Sequence, residues 1–561
     1  MSQSRILSRS IHGPVKIYGR QGETGMMNKR KTIALSLSLL LLATSALAAC
    51  SNNKEASGGD GEDGAPVRLT GVVIKHALTK PLAEMEWLQE VEAKAGVKID
   101  WQEISADWDQ KKGTMLASGD VPDLFVGPNV VTDGDFAQFQ GLFQDLNELL
   151  ELAPNVQRMF EEKPETLRIA TQRDGQIYGL PKYQRYWPDS STRQYINQQW
   201  LDNLGLDMPT TWDELYDVLL AFKNEDANGN DDPNDEIPMD WPGGIGGYFN
   251  PAVLLGGMGM TLSSDVSGRG YFVEDGQVKN FLVDERFKEM VQFLNRIYKA
   301  GLINPEVFTS DYTKFQALAR GTGDTAKVGF TWGWVASDRF GEQVGPQYTS
   351  MPPLQAKPGA QVSWSYDTYN LNYGANHIVM SAKSKHKEAA MRFINELYDP
   401  KVGIQVLFGS IGPNIEDHGD GTYSVLPPQD AQMDPGTWKW TSSWADNGAF
   451  YISDDIELTL GKDMQEVLTQ SEPLAEALAD VDPEQDIYPA LFIKYSTPDN
   501  NTLSLNNTNV MNLANTSFAK WVMNGGIEGE WDKYVAEASK AGLDKNLDIM
   551  QQYYDEYLQA Q

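Results

Sequence analysis

The chain holds one cysteine, Cys50, among 561 residues, and only five histidines. With no His/Cys cluster, a catalytic zinc site has no donor set. Gly-x-Ser-x-Gly, His-Glu-x-x-His, Walker and Rossmann fingerprints are all missing, which weighs against hydrolase, protease and nucleotide chemistry. Basic residues are scarce: 46 Lys and Arg face 78 Asp and Glu, for a formal net charge of −32. Such a body repels nucleic acid and anionic membrane surfaces and favours divalent cations. After the first 50 residues no apolar run is long enough to span a bilayer. There is no repeat of fixed period, and no low-complexity tract beyond one short tether.

The one cysteine stands where an export signal ends. Residues 26–31 (MNKRK preceded by Met26) are basic, Ile33 to Leu42 are apolar, and Ala43 to Ala49 are small. These are the n-region, h-region and cleavage region of a signal peptide. Leu47-Ala48-Ala49-Cys50 resembles a bacterial lipobox, and that resemblance implies that Cys50 is acylated and holds the mature protein at the outer face of the cytoplasmic membrane. The alternative is an ordinary signal peptide or a spanning anchor with an incidental cysteine. The apolar core is shorter than the roughly 20 residues a span requires. Residues 1–25 add nothing to a signal peptide and are expected to be a misassigned start or an extension. Without the first 49 residues, 39 basic and 77 acidic side chains remain, a net charge of −38.

Residues 51–66 have almost no apolar content and form a flexible tether. The roughly 500 residues beyond exceed what one core usually organises, so two or more domains are expected. Val67 to Lys75 has the pattern of a strand. It precedes a helical stripe of Leu82, Met85, Leu88, Val91 and Ala95 stopped by Gly96, then further strands at 98–104 and 122–126 around a helix. This alternation predicts βαβ units and a mostly parallel sheet. Thr211-Trp212-Asp213-Glu214 is a capping box ahead of a helix, Asp284 precedes a second and Glu388 to Tyr398 forms a third; helices are also expected at 531–541 and 547–557. Their apolar stripes are core.

Several local sequences resemble family 1 extracellular solute-binding lipoproteins of ABC transporters. They are Gly175-Gln176-Ile177-Tyr178-Gly179-Leu180-Pro181, the run from Tyr195 to Gly205 followed by Pro209 to Leu215, Val328 to Trp334, and Ala389 to Ile394. The resemblance extends over most of 67–413 and implies an α/β, two-lobed periplasmic-binding-protein-like fold of the type II solute-binding class, the lobes joined by a hinge. It implies a first lobe of 67–182 plus about 374–415 and a second of 183–373 plus about 416–561. It also implies an oligosaccharide ligand, ABC permease subunits as partners and a monomeric protein. The rival readings are a lipid-anchored glycoside hydrolase and a glycan-binding adhesin or sensor. Paired carboxylates for hydrolysis can be drawn anywhere among 78 acidic residues, so they carry no signal; neighbouring permease genes would separate importer from adhesin.

Within the resemblance, the stretch Asp226 to Pro238 is closest to alginate-binding and LplA-like lipoproteins. Oxygen donors at alternate positions around a turn can converge on a hard cation. Asp226, Asn228, Asn230 and Asp232 would supply them, with Asp235 and Glu236 closing the shell of a structural Ca²⁺. The subgroup's usual run is one residue shorter and has Gly where this chain has Asp231, which leaves the closing ligand open among Asn234, Asp235 and Glu236. A solvated acidic turn is the alternative.

Sugar binding needs aromatic faces and polar matches for hydroxyls, and the chain has 15 Trp and 23 Tyr. Positions at the crossovers and strand ends face the cleft of such a fold. The substrate-binding candidates are therefore Arg185, Tyr186 and Trp187 after the first crossover, Trp241 after the calcium loop, Trp332 and Trp334 at a strand end, and Trp364 before the return. Arg193 and Arg339 are further candidates for an acidic ligand. Trp438, Trp440 and Trp444 cluster in what reads as a loop.

Overall fold

The computed structural model describes residues 65–559 except 233, 246–248, 431, 432 and 434. Cys50, the signal segment and all but the last two residues of the tether lie outside the described residues.

Val67–Ile74 forms the strand its alternation predicts, and its two faces feed two separate apolar clusters. Leu69 and Val73 point into one, and Val72 points into the other. A strand buried on both faces is what a sheet covered by helices on each side requires. The strand pairs in parallel with Val97–Ile104 and Leu124–Val126, and Tyr373–Met380 then runs antiparallel between Leu124–Val126 and Gly179–Tyr183. The expected helix spans Glu86–Ala95 and ends at Gly96 with φ of 70°, a left-handed C-cap suited to glycine.

A second sheet orders Tyr348–Met351, Arg193–Asn197, Val328–Gly333 and Ile237–Met239. Arg193–Asn197 is antiparallel to both neighbours, and only the pair Ile237–Met239 with Val328–Gly333 is parallel. The expected mostly parallel sheet therefore holds for the first three strands and fails here. The capping box is present: the Thr211 hydroxyl accepts from the Glu214 amide at 3.2 Å, and Glu214 accepts from the Thr211 amide at 3.2 Å, opening the helix Trp212–Asn224. Asp284 caps Glu285–Lys299 through the Arg286 amide. At the end of the chain, Ile527–Lys540 and Leu543–Gln559 are helices, as expected, and both pack on a 28-residue helix, Thr497–Asn524.

The second sheet and these helices share one large core. Residues 415–467 do not join it. Ile415, Tyr423, Trp444, Tyr451 and Val467 are in the first core, whereas Leu474 is in the second. The boundary expected near 416 thus differs from the packing, because Trp444 stacks edge-on against Trp87 and Trp101 of the first core, at 5.2 and 5.7 Å. The chain crosses between cores near 184–192, 365–372 and 468–473. The described residues form one compact unit.

Tyr398 is the C-cap of the helix Lys387–Leu397, and Asp399 caps the next, Pro400–Phe408, by accepting from the Lys401 amide. In that helix Gly403 lies so close to Tyr451 that a Cβ would run into the Tyr451 carbonyl. Overpacking of this kind costs about 1–3 kcal/mol. Gly403→Ala is accordingly expected to lower the midpoint of urea unfolding with the slope unchanged; a midpoint equal to the parent's would show that the helix simply slides away.

Candidate functional site

A cavity of about 650 Å³ lies where the two cores meet. Lys182, Trp187, Leu371 and Asp446 line it from the first core and the crossings, Trp334 packs against that same core from the end of Val328–Gly333, and Asp338 and Glu342 come from the helix Ala336–Val344, whose apolar face is in the second core. Trp187 is on the first crossing and Trp334 directly follows the strand Val328–Gly333, so both are carried by backbone at the junction. Their rings meet edge to face, with centroids 6.3 Å apart and planes at 85°. The Trp187 indole N–H donates to Asp446 Oδ1 at 2.9 Å. Trp334 is half-buried; the Arg193 guanidinium covers it at 4.7 Å and donates to its carbonyl at 2.8 Å. Trp440, also half-buried, adds a third indole and stacks on His76 at 4.5 Å.

The charges in this wall are paired. Lys182 Nζ is 3.0 Å from Asp446 Oδ1, and Lys439 Nζ is 3.6 Å from Asp446 Oδ2. Burial opposes ionisation of Asp446, but the two ammonium groups overcome it and hold the carboxyl well below the usual carboxylate range. Lys439 also lies over the indoles of Trp187 at 4.6 Å and Trp440 at 5.5 Å. This is a pocket with aromatic faces, fixed polar groups and no net excess of cation.

Of the residues expected from sequence, Trp187 and Trp334 are brought together here. Trp241 and Trp332 are 0 % exposed and Trp364 is 1 % exposed, all three in the second core. Trp241 packs edge-on against Phe308, Trp332 against Phe330, and the Trp364 N–H donates to the Thr192 carbonyl at 2.8 Å. These three have no surface to offer a ligand in this structure. Trp332 lies inside the strand Val328–Gly333, on the face it shares with Phe330, whereas Trp334 lies just beyond the strand's end. Arg185 Nη2 and the Tyr186 hydroxyl both donate to the Ile456 carbonyl, at 3.1 and 3.0 Å, and neither lines the cavity. Arg193 and Arg339 are buried; Arg339 stacks on Phe315 at 3.4 Å and donates to the Phe315 carbonyl. Trp440 belongs to a short helix, Pro435–Ser442, where a loop was expected. Lys182, Lys439 and Asp446 carried no sequence signal, being up to 264 residues apart.

The acidic loop folds back on itself. Asp226 Oδ1 and Asn228 Oδ1 each accept from the Asn230 amide at 3.0 Å, so their oxygens converge. Asp235 holds the side-chain amides of Asn228 and Asn230 at 2.8 and 3.1 Å. Asp232, exposed, accepts from the Asn234 amide at 3.3 Å. Asp231, in the position usually held by glycine, has φ of 68°; Asp is among the few residues that tolerate this. Glu236 Oε2 is buried without a hydrogen-bond partner, and burial, with Asp235 and Asp226 nearby, pushes the Glu236 carboxyl above its ordinary pKa. Among the described residues no three His, Cys, Asp or Glu side chains converge as metal ligands; this loop interleaves its carboxylates with Asn.

Two α/β cores joined by three crossings, with an aromatic pocket at the junction, define a two-domain binding protein. Residues 78–404 match the model of the bacterial extracellular solute-binding protein family, and the chain belongs to that family. It is 27 % identical to the fructooligosaccharide ABC transporter substrate-binding protein FusA of Streptococcus pneumoniae, over 94 % of this chain and 99 % of that one. Among solved structures it resembles an HMO-binding, ABC-transporter-associated solute-binding protein from Bifidobacterium longum infantis, with a TM-score of 0.81 and 32 % identity over 88 % of this chain and 99 % of the other. The structure of FusA in complex with kestose gives a TM-score of 0.77 at 26 % identity, over 88 % of this chain and all of that one. A further FusA structure is described as an EF-hand mutant in complex with fructo-nystose. These relatives are all named as substrate- or solute-binding proteins. Among the described residues no helix is long and apolar enough to cross a membrane.

Proposed function

We propose that this protein captures an oligosaccharide in the cavity between its lobes and delivers it to the permease of an ABC importer. The observation that carries the reading is the convergence of Trp187, Trp334 and Trp440 on one cavity of about 650 Å³ at the junction of the two cores. The relatives named for fructooligosaccharide and HMO binding support the same class of ligand. In this reading Trp334 and Trp440 present faces to sugar C–H surfaces, while Asp446, Lys182 and Asn370 meet hydroxyls. The lobes are 67–183 with 373–467, and 193–364 with 474–559, and the closed, liganded form is the one a permease recognises. The protein acts as a monomer, tethered through a lipid on Cys50 at the outer face of the membrane.

The test is a thermal-shift screen of residues 51–561 against neutral and acidic oligosaccharides, with each glycan recovered and checked for cleavage. A ligand at about 100 times its dissociation constant adds roughly 2.7 kcal/mol. A shift with the glycan intact supports the transport reading; a cleaved glycan favours a hydrolase, and no shift from any glycan removes the sugar reading.

The loop 226–236 is proposed to bind a structural Ca²⁺. Asp226, Asn228, Asn230 and Asp232 would hold it, and Glu236, whose Oε2 has no other partner, is the better closing ligand than Asp235, which is engaged with two amides. Adding calcium at about 100 times its dissociation constant should raise stability by roughly 2.7 kcal/mol, and Asp226→Ala should abolish that increment. Because the ion displaces a proton from a carboxyl of raised pKa, the increment should shrink as pH falls toward that value. Equal melting temperatures in calcium and in EDTA would refute the site.

A further inference from the structure

The charged groups of the cavity are disposed so that every buried cation is already answered. Lys182, only 7 % exposed, is 3.0 Å from Asp446 Oδ1 and 3.3 Å from the Asp446 carbonyl. Lys439, 14 % exposed, lies 3.6 Å from the other Asp446 oxygen, and its remaining charge is spread over the faces of Trp187 and Trp440. One carboxylate thus serves both ammonium groups, and the Trp187 N–H fixes its orientation. The third cation, Arg320, is exposed, donates to the Asp338 carbonyl at 3.2 Å and stands where solvent screens it. Beyond this group, the other ionisable side chains lining the cavity are Asp338, Glu342 and Asp463, all acidic.

A ligand bearing a carboxylate or sulfate would have to compete with Asp446 for the two lysines, or lie beside it as a like charge with the desolvation cost unrelieved. A ligand with hydroxyls alone asks for neither. We infer that Asp446 is a built-in counter-anion that makes the cavity select neutral glycans and reject uronate-bearing or sulfated ones. The inference rests on the oligosaccharide reading above. It assigns ligand charge, which composition alone leaves open, to one residue and its two partners.

Each neutral oligosaccharide that shifts melting in the screen is oxidised at its primary alcohols to the uronate, and part of that product is methyl-esterified to remove the charge. Calorimetry on the chain from residue 51 then compares the acid with its uncharged ester. The acid is expected to bind at least 100-fold more weakly than the ester. In Asp446→Asn, which keeps an acceptor for Trp187 but frees both lysines, the ratio should fall below ten-fold. In the double variant Asp446→Asn with Lys439→Met it should rise again.

An acid that binds the parent protein within ten-fold of its ester overturns the inference and leaves the oligosaccharide reading standing. So does a ligand set that proves exclusively acidic. A ratio unchanged in Asp446→Asn removes Asp446 from the role. If no oligosaccharide of either kind binds, the oligosaccharide reading itself is what fails. The parent comparison decides the point even if a variant does not fold.

Discussion

Trp334→Ala is expected to weaken oligosaccharide binding by about 100-fold, roughly 2.8 kcal/mol at 1.4 kcal/mol per decade. A half-buried indole at the centre of a junction cavity is the kind of residue whose truncation dominates a binding energy. Stacking adds to the area it covers. Trp334 meets Trp187 edge to face and supports Arg193, so its loss also loosens the wall around it. Trp332→Phe is the matched control, since Trp332 is 0 % exposed in the second core. It should lower stability while leaving affinity within a factor of three. Calorimetry on both variants reads the difference. Parent-like affinity in Trp334→Ala would move the ligand away from this wall.

The second large effect is on stability. Arg193 is 0 % exposed and its guanidinium bonds two of the crossings and a strand end at once: the Ser190 carbonyl at 2.8 Å, the Ser471 hydroxyl at 2.9 Å and the Trp334 carbonyl at 2.8 Å. Burial lowers its pKa to about 10, so it remains charged at neutral pH and its desolvation cost is present throughout the physiological range. Arg193→Met relieves that cost but leaves the Ser190 carbonyl without this donor and the Trp334 carbonyl with only the Tyr195 hydroxyl, at 3.4 Å; an unsatisfied buried acceptor costs about 1–3 kcal/mol. A net loss of about 3 kcal/mol is expected, visible as a fall in melting temperature of several degrees. Arg193→Lys should recover only part of it, because an ammonium cannot span three acceptors with one planar fork. A melting temperature within one degree of the parent's in Arg193→Met would show that water takes over the acceptors.

These two residues also mark where sequence reading succeeds and where it stops. Val67–Ile74, the capping box at Thr211 and the Gly96 stop are local: their patterns lie within one or two turns, and the structure follows them. Trp187 and Trp334 were legible because crossings and strand ends have recognisable neighbours. Trp241, Trp332 and Trp364 are not distinguishable from them in sequence, since an indole is equally suited to a core and to a sugar; Trp332 and Trp334 would even share one face of a continuing strand, and only the end of the strand at Gly333 separates them. Lys182, Lys439 and Asp446 are ordinary charges in an acidic chain; their pairing exists only once residues up to 264 apart are folded together. The assignment of 415–467 to the first core has the same origin, because Trp444 reaches partners more than 340 residues earlier.

Arg193 ties the first and third crossings together through Ser190 and Ser471, and Trp334 is bonded to it through its own carbonyl. Points near a rotation axis move least when a hinge turns. The indole at Trp334 therefore keeps its place while surfaces farther from the axis sweep through longer arcs. A short sugar seated on that indole touches what is already in position, and gains little from closure. A longer one reaches outward to walls that arrive only as the lobes swing together. On the proposed seating of the glycan, length discrimination would follow from lever arm, with the innermost ring acting as an anchor and the outer rings deciding whether the clasp shuts.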